Sequence, residues 1–528
     1  MAPEGRNQDD RAAGPALERW LGRVGESTLI WILLGIALIL HGYNMFGYPP
    51  YLGDEGIYME QAWAVLRQGR LTPYTYFYDH APVGWLMIAG WVLLLPGKFL
   101  AFGMSINSGR AFMLLVHLAS VVLMYKVTRR MSGSHVASVL TVVVFSLSPL
   151  GLYYQRMVLL DNIMVLWLLL SMYLILYDGN RLVTVIGAGA AFGLATLSKE
   201  NAIFFAPVLA YMSYHSVRGT HRFRFAFAGW VVAATLVVSF YPLYALLKSE
   251  LFPEGTLALL GGQPADHVSL INTLLWQMSR AGGSILDPGS QFWLYFWDKW
   301  WPKDGVIIAA GVGGALVNLI IWRIDPERHR SYLVAALMAL AFGFYLARGS
   351  IMIEFYVVPI LPFLGLNVGM AVAFVLDHLP GPLALVAFVL ILGALFAAFL
   401  YVGRDAFRLN LTALQGQQLA WIRQNLPPRA IVIVDDDLWV DLREPGPGHP
   451  AFPNAHSHWK VQGDPEIRTE LLKDDYKNAD YIVVSDDMRV ALERNNSDFV
   501  IAALDDSTLL KAFDAGEVHL EVREINRR

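Results

Sequence analysis

The sequence predicts a polytopic α-helical membrane protein of about eleven spans, followed by a C-terminal extracytoplasmic α/β domain. Three observations predict it. The 528 residues are 55% hydrophobic and only 16% charged, with a mean hydropathy of +0.44. A water-soluble fold of this length has too little polar surface to cover so much apolar side chain. Long apolar runs recur from residue 28 to residue 402. After residue 410 the pattern changes to short β-branched runs between helical stretches, which reads as strands alternating with helices.

Residues 1–25 are polar and mixed in charge, and no cleavable signal is evident. The first apolar run, Leu29 to Phe46, suits a retained anchor, because a span needs about 20 residues. The spans fall at 28–46, 109–127, 135–150, 161–178, 182–198, 202–217, 225–246, 304–322, 331–347, 353–374 and 381–402. Backbone groups in lipid must be satisfied internally, so each run is read as a helix. The apolar segment 82–102 carries Pro82, Gly84, Gly90, Pro96 and Gly97. It is read as a helix at the outer surface, with a twelfth span as the alternative.

Basic residues set the orientation. Arg19, Arg23, Lys126, Arg129, Arg130, Arg181, Arg218, Arg222, Arg224, Arg323, Arg328 and Arg330 share one side in the eleven-span topology. That side is assigned to the cytoplasm, together with the N-terminus. The outer side then holds loops 47–108 and 247–303 and everything after Arg404. The expected domains are a segment 1–27, a membrane domain 28–404 and an outer domain 410–528, in a plasma membrane.

Composition narrows the partners. Net charge is −4 with no basic tail, so nucleic acid is not expected. There is no cysteine, which excludes disulfides and thiolate metal sites. The 16 Trp and 23 Tyr suit many helix ends at a bilayer interface.

In the C-terminal region, Gln417 to Asn425 reads as a helix. Ala430–Val434, Ala479–Val484 and Val518–Val522 read as strands. The run Asp435-Asp436-Asp437 is consistent with a solvated loop, a cap on the next helix or a cation site. No G-x-G-x-x-G or P-loop follows a strand, so no nucleotide site is expected.

The ionisable residues near span ends gather on the outer side. Asp54 and Glu55 follow Gly53, at the start of a helical segment. Asp79 and His80 precede Pro82. Arg156 and Asp161 flank the fourth span, and Lys199 and Glu200 end the fifth. Asp266 and His267 lie in the long outer loop. Arg348, Glu354 and Tyr356 begin the tenth span. Such groups cost free energy at a membrane unless paired or hydrated. A basic group near one helix end usually just reaches for the interface, but a convergence of acids and bases on one side points to a site. Its chemistry suits group transfer from an anionic lipid. Cationic groups would hold a phosphate as ligand and leaving group, and a carboxylate would take a proton from an attacking hydroxyl.

The motifs resemble those of the GT-C membrane glycosyltransferases, in the branch of protein O-mannosyltransferases and lipid A aminoarabinose transferases. Gly53-Asp54-Glu55 is similar to that family's acidic first-loop motif. Tyr78-Asp79-His80-Ala81-Pro82, Gln155-Arg156 with Leu160-Asp161-Asn162, Ser198-Lys199-Glu200, and Phe355-Tyr356 with Pro359 and Pro362 follow in the family's order. The resemblance covers about residues 28–400. It implies the GT-C fold and an inverting transfer of a sugar from a polyprenyl-phosphate donor to an extracytoplasmic acceptor, whether glycan, lipid or protein. It implies Asp54 as general base, with Glu55 beside it as a catalytic residue. For Asp54 the alternative is a helix N-cap; Glu55 either bonds the acceptor or favours the helix N-terminus. His80, Arg156, Lys199, Arg348 and Tyr356 are expected at the lipid phosphate, with Asp161, Glu200 and Glu354 in the same pocket. His80 stands where the family has a lysine, and a histidine is not always charged.

A divalent cation, Mg²⁺, Mn²⁺, Ca²⁺ or Zn²⁺, is considered at Asp79 with Asp266 or His267, with a structural ion pair as the alternative. Trp276, Trp293, Trp297, Trp300 and Trp301 in loop 247–303 form either a lid over the sugar or an interfacial anchor. The competing functional reading is a transporter or binding protein for lipid-linked sugars that uses the same pocket without catalysis.

Overall fold

The computed structural model describes residues 16–177, 179, 181–253, 268–446, 448–515 and 518–526. The chain is a bundle of apolar helices with a small sheet domain packed on one end. An N-terminal helix α1 (Ala16–Val24) meets α2 (Glu26–Gly42) at a bend of 84°. Gly25 makes that bend at φ 85°, a conformation that disfavours any side chain. Two outer helices follow, α3 (Gly53–Gln68) and α4 (Val83–Leu94). The bundle continues with α5 (Ser105–Ser132), α6 (His135–Leu147), the short α7 (Pro149–Tyr154), α8 (Leu160–Leu176), α9 (Arg181–Ser198), α10 (Ala206–Val217) and α11 (Phe223–Leu247). After α12 (Leu270–Ser279) and α13 (Gln291–Tyr295) come α14 (Trp301–Ile324), α15 (Arg330–Ala347), α16 (Leu361–Asp377) and α17 (Gly381–Val402).

Every apolar run read as a span is helical. Among the described residues seven helices are long and apolar enough to cross a membrane, or eight when α1 and α2 count as one bent span. The segments at 135–150, 161–178 and 202–217 form shorter helices of 13, 17 and 12 residues. The apolar segment 82–102 yields a 3₁₀ turn at Lys98–Leu100 and, as α-helix, only the 12 residues of α4. At 1.5 Å per residue that helix is about 18 Å long, short of a hydrocarbon core of about 30 Å.

One end of the bundle is tied by the basic residues. Glu18 accepts from the backbone of His135 and lies 3.6 Å from Arg129, and Glu26 lies 3.6 Å from Lys126. Arg130 donates to the Leu176 carbonyl at 3.0 Å, and Arg218 meets Glu327 at 3.8 Å. The starts of α2 and α6 and the ends of α5, α8, α10 and α14 therefore share one face.

The opposite face carries the C-terminal domain. It begins with α18 (Asp405–Arg408) and α19 (Ala413–Asn425) and builds a five-stranded sheet in the order β2-β1-β3-β5-β4. Strand β1 (Val432–Val434) runs parallel to both β2 (Ala455–Ser457) and β3 (Tyr481–Ser485). Strand β5 (Val518–Ile525) is antiparallel to β3 and to β4 (Ser507–Ala515). Between β1 and β2 lies α20 (Asp436–Arg443), and α21 (His458–Gly463) follows β2.

This domain is locked onto the first outer loop. Helix α20 crosses α3 so closely that a Cβ on Gly56 would stand 2.2 Å from the Asp436 carbonyl oxygen. Ser457 Oγ donates to Glu60 at 2.6 Å, Trp63 donates to Glu444 at 2.9 Å, and Trp439 donates to Tyr74 at 2.7 Å. Ser105, opening α5, donates from backbone and side chain to Asp441. All of these partners are buried, so each bond also removes the cost of an unmet polar group.

Candidate active site

Helix α3 begins at Gly53 with Leu52 as its N-cap, so Asp54 lies inside the first turn and is not the cap. The Asp54 carboxylate is half-buried and makes no hydrogen bond to any described residue. Lys199, His80, Asp436 and Asp161 surround it. Burial pushes the Asp54 carboxyl up to about 6; Lys199 and His80 oppose the rise, and Asp436 and Asp161 add to it. An unbonded carboxylate poised near neutrality is placed to accept a proton.

Glu55, the next residue, faces the other way. It is wholly buried and takes two hydrogen bonds from Arg110, at 2.9 and 2.7 Å. The amides of Leu52 and Val158 complete its shell, at 3.1 and 2.9 Å. Arg110 in turn donates to the carbonyls of Met45, Pro49 and Pro50. This pair fixes the loop before α3 and the start of α3 against α5, and leaves Glu55 no free oxygen lone pair aimed at the cleft.

The cationic side of the pocket comes from two segments. Lys199, between α9 and a 3₁₀ turn at Glu200–Phe205, meets Asp161 at 2.5 Å. Its ammonium sits 4.7 Å from the Phe355 ring and 5.0 Å from the Tyr356 ring. His80 donates from Nδ1 to Glu200 at 3.0 Å, and Glu200 also accepts the Ala81 amide. Burial opposes a charge on His80, but the charge and hydrogen bond of Glu200 outweigh it, and its pKa lies above the usual 6.5. The loop holding His80 is pinned by Tyr76 and Tyr241, which both donate to its carbonyl oxygen.

Tyr58, on α3 one turn after Asp54, is buried with its ring 6.3 Å from His80. Its hydroxyl has no hydrogen-bond partner, and neither does Asp161 Oδ1. Two buried polar atoms without partners thus lie beside an unbonded carboxylate and two cationic groups.

The structure thus brings Asp54, His80, Asp161, Lys199, Glu200 and Tyr356 together, with Asp79 beside His80 and adding to the rise of its pKa. Others predicted from sequence stand apart. Arg156 is buried and donates to the carbonyls of Leu40, Tyr43, Tyr48 and Ala406, clamping the end of α2 to α18. Glu354 meets Lys299 at 3.6 Å. Arg348 stacks 3.6 Å over the Tyr345 ring and donates to the Tyr345 carbonyl, one ring away from Tyr356. Trp300 is buried against the Glu354 carbonyl, whereas Trp276, Trp297 and Trp301 are exposed. Asp266 and His267 lie outside the described residues.

For a metal, the described residues contain one group of three candidate ligands, Asp435, Asp436 and His458. Asp79 does not belong to it. Sequence reading missed Arg110 and Tyr58, and it met Asp436 only as part of an acidic run. An arginine inside the apolar run 109–127 was a usable signal; a tyrosine at a helix position gave none.

The family model for dolichyl-phosphate-mannose-protein mannosyltransferase matches residues 79–242. No curated protein matches the chain in sequence. Three solved structures share the fold. ArnT from Cupriavidus metallidurans, bound to undecaprenyl phosphate, is 16% identical, covers 94% of this chain and 97% of its own, and has a TM-score of 0.56. The oligosaccharyltransferase AglB from Archaeoglobus fulgidus, with an inhibitory peptide and a dolichol-phosphate, is 11% identical over 95% of this chain and 74% of its own, with a TM-score of 0.57. The same enzyme in complex with Zn and sulfate is 12% identical over 87% and 68%, with a TM-score of 0.52. The chain has the fold of the GT-C membrane glycosyltransferases, and the resemblance seen in its motifs extends to its architecture.

Proposed function

We propose that this protein is an inverting glycosyltransferase that moves a sugar from a polyprenyl-phosphate donor to an extracytoplasmic acceptor. The observation that carries the reading is an unbonded Asp54 carboxylate close enough to Lys199 and His80 to feel the charge of both. Asp54 accepts the proton of an acceptor hydroxyl. That oxygen attacks the anomeric carbon from the face opposite the phosphate, and the bond to the phosphate breaks with its electron pair on the leaving oxygen. Lys199 and His80 stabilise the charge that grows there. Asp161 holds Lys199 in position, Glu200 keeps His80 protonated, and Tyr58 and Tyr356 offer hydroxyl donors to the phosphate or the sugar. Undecaprenyl phosphate and dolichol-phosphate, bound in structures of the same fold, support the donor class.

In this reading the basic face of the bundle is cytoplasmic, eleven helices span, α4 lies at the outer surface, and the sheet domain is extracytoplasmic. Membrane extract supplied with a panel of radiolabelled polyprenyl-phosphate sugars tests the activity. Transfer of label to a product of inverted configuration is expected for one donor. Tight donor binding with no consumption across the panel would instead favour a carrier of lipid-linked sugars.

A further inference from the structure

We infer that Asp435, Asp436 and His458 form a divalent-cation site of the Zn²⁺ or Mn²⁺ class at the seam between the sheet domain and α3. The site follows from sheet topology. Strands β2, β1 and β3 are parallel, with β1 between the other two. The connection from β1 to β2 leaves on one side, and β3 pairs on the other. The carboxyl end of β1 is therefore the point where strand order reverses, and open α/β sheets bind ligands outside that end. Asp435 and Asp436 follow β1, His458 follows β2, and the register pairs Val434 with Ser457. Residues far apart in sequence are brought side by side by that register alone.

One ligand atom from each of the three lies within 4.8 Å of the others. A helix cap accounts for part of the cluster, since Asp435 Oδ1 accepts the Asp436 amide at 2.8 Å. It does not account for His458. That ring is 8% exposed, and its Nδ1 has no hydrogen-bond partner. Nδ1 stands 3.9 Å from Asp435 Oδ1, too long for a hydrogen bond. Two ligands of one tetrahedral ion, each about 2.1 Å from it, stand ~3.4 Å apart, so the separation is near that of a shared ion.

The groups around the three also suit a metal. Ser485 Oγ, at the end of β3, donates to Asp435 Oδ2 at 2.5 Å, and Trp459 Nε1 donates to Asp436 Oδ1 at 2.9 Å. Such outer hydrogen bonds orient ligating carboxylates. An imidazole with two carboxylates selects a borderline cation over Mg²⁺ or Ca²⁺, which favour oxygen alone. Three protein ligands leave a fourth position open. A Cβ on Gly53 would lie 3.9 Å from Asp436 Oδ2, so the ion stands beside the helix end that carries Asp54. It neutralises the acids at the seam.

The inference does not depend on the transferase reading, because metal content reports it directly. The full-length protein in nanodiscs, stripped with chelator, is titrated with Zn²⁺ and with Mn²⁺. One equivalent per chain is expected for wild type and for Asp79→Asn. His458→Gln and Asp436→Asn should each weaken binding at least about tenfold. No stoichiometric uptake by wild type, or unchanged uptake by both variants, would overturn the site. X-ray absorption of the Zn²⁺-loaded wild type decides the matter if the variants do not fold: imidazole in the coordination shell supports it, and a shell of oxygen alone contradicts it.

Discussion

Asp54 and Glu55 are neighbours in sequence with opposite surroundings, and that contrast yields two expectations. Asp54 works as a base only when ionised, and burial holds its carboxyl up to about 6. Below that pH the base is protonated, so kcat/KM should fall about tenfold per pH unit on the acid side. His80 must be charged to meet a phosphate, and its pKa is raised from 6.5 by Glu200. Activity should therefore fall again above that raised value, giving a bell whose basic limb disappears in His80→Lys. A profile flat from pH 5 to pH 7 would remove Asp54 from the chemistry. Glu55→Gln should act on stability instead. It leaves the Arg110 guanidinium buried without a counter-charge, at a cost of about 3–5 kcal/mol. A large fall in the thermal unfolding midpoint in detergent checks this, with Asp54→Asn, which breaks no hydrogen bond, unfolding near wild type. The sequence motif pointed to Asp54, His80 and Lys199, which the structure places near one another. It could not assign Glu55, because its partner Arg110 is 55 residues away.

Among the elements, α3 matters most, since one face carries Asp54 and Tyr58 and another carries α20. Gly56 sits where the two helices touch. Gly56→Ala would drive a methyl into the Asp436 backbone, which cannot yield as a flexible side chain can. A cost of about 1–3 kcal/mol is expected. Limited proteolysis should then cut between α17 and α19 faster than in wild type; an unchanged digestion pattern would show that the seam tolerates the strain. Apolar runs made the helices readable, but strand β2 was invisible. Its three residues, Ala455-His456-Ser457, are small or polar yet buried, at the edge of the sheet beside β1. Strand β4 was missed for the opposite reason: most of its residues are exposed, so no apolar alternation marks it.

For the whole molecule, the arrangement has two faces, one tied by arginine and glutamate pairs and one bearing the pocket and the sheet domain. The basic residues predict the first face as cytoplasmic. The chain has no cysteine, so single cysteines report sidedness without background. Glu493→Cys, exposed on the sheet domain, should react with an impermeant maleimide on intact cells. Arg328→Cys, exposed at the other end, should react only after lysis. The reverse pattern would invert the topology. Sequence could foretell that acids and bases collect on one side. It could not separate Arg156 and Glu354 from the pocket, because side-chain direction depends on how distant helices pack.

The central claim is that Asp54 is the base of a transferase, and turnover by Asp54→Asn tests it most directly. With a donor that wild type consumes, the variant should bind that donor with similar affinity and transfer it at least about 100-fold more slowly, the usual weight of a positioned base. Transfer at the wild-type rate by Asp54→Asn would contradict the account.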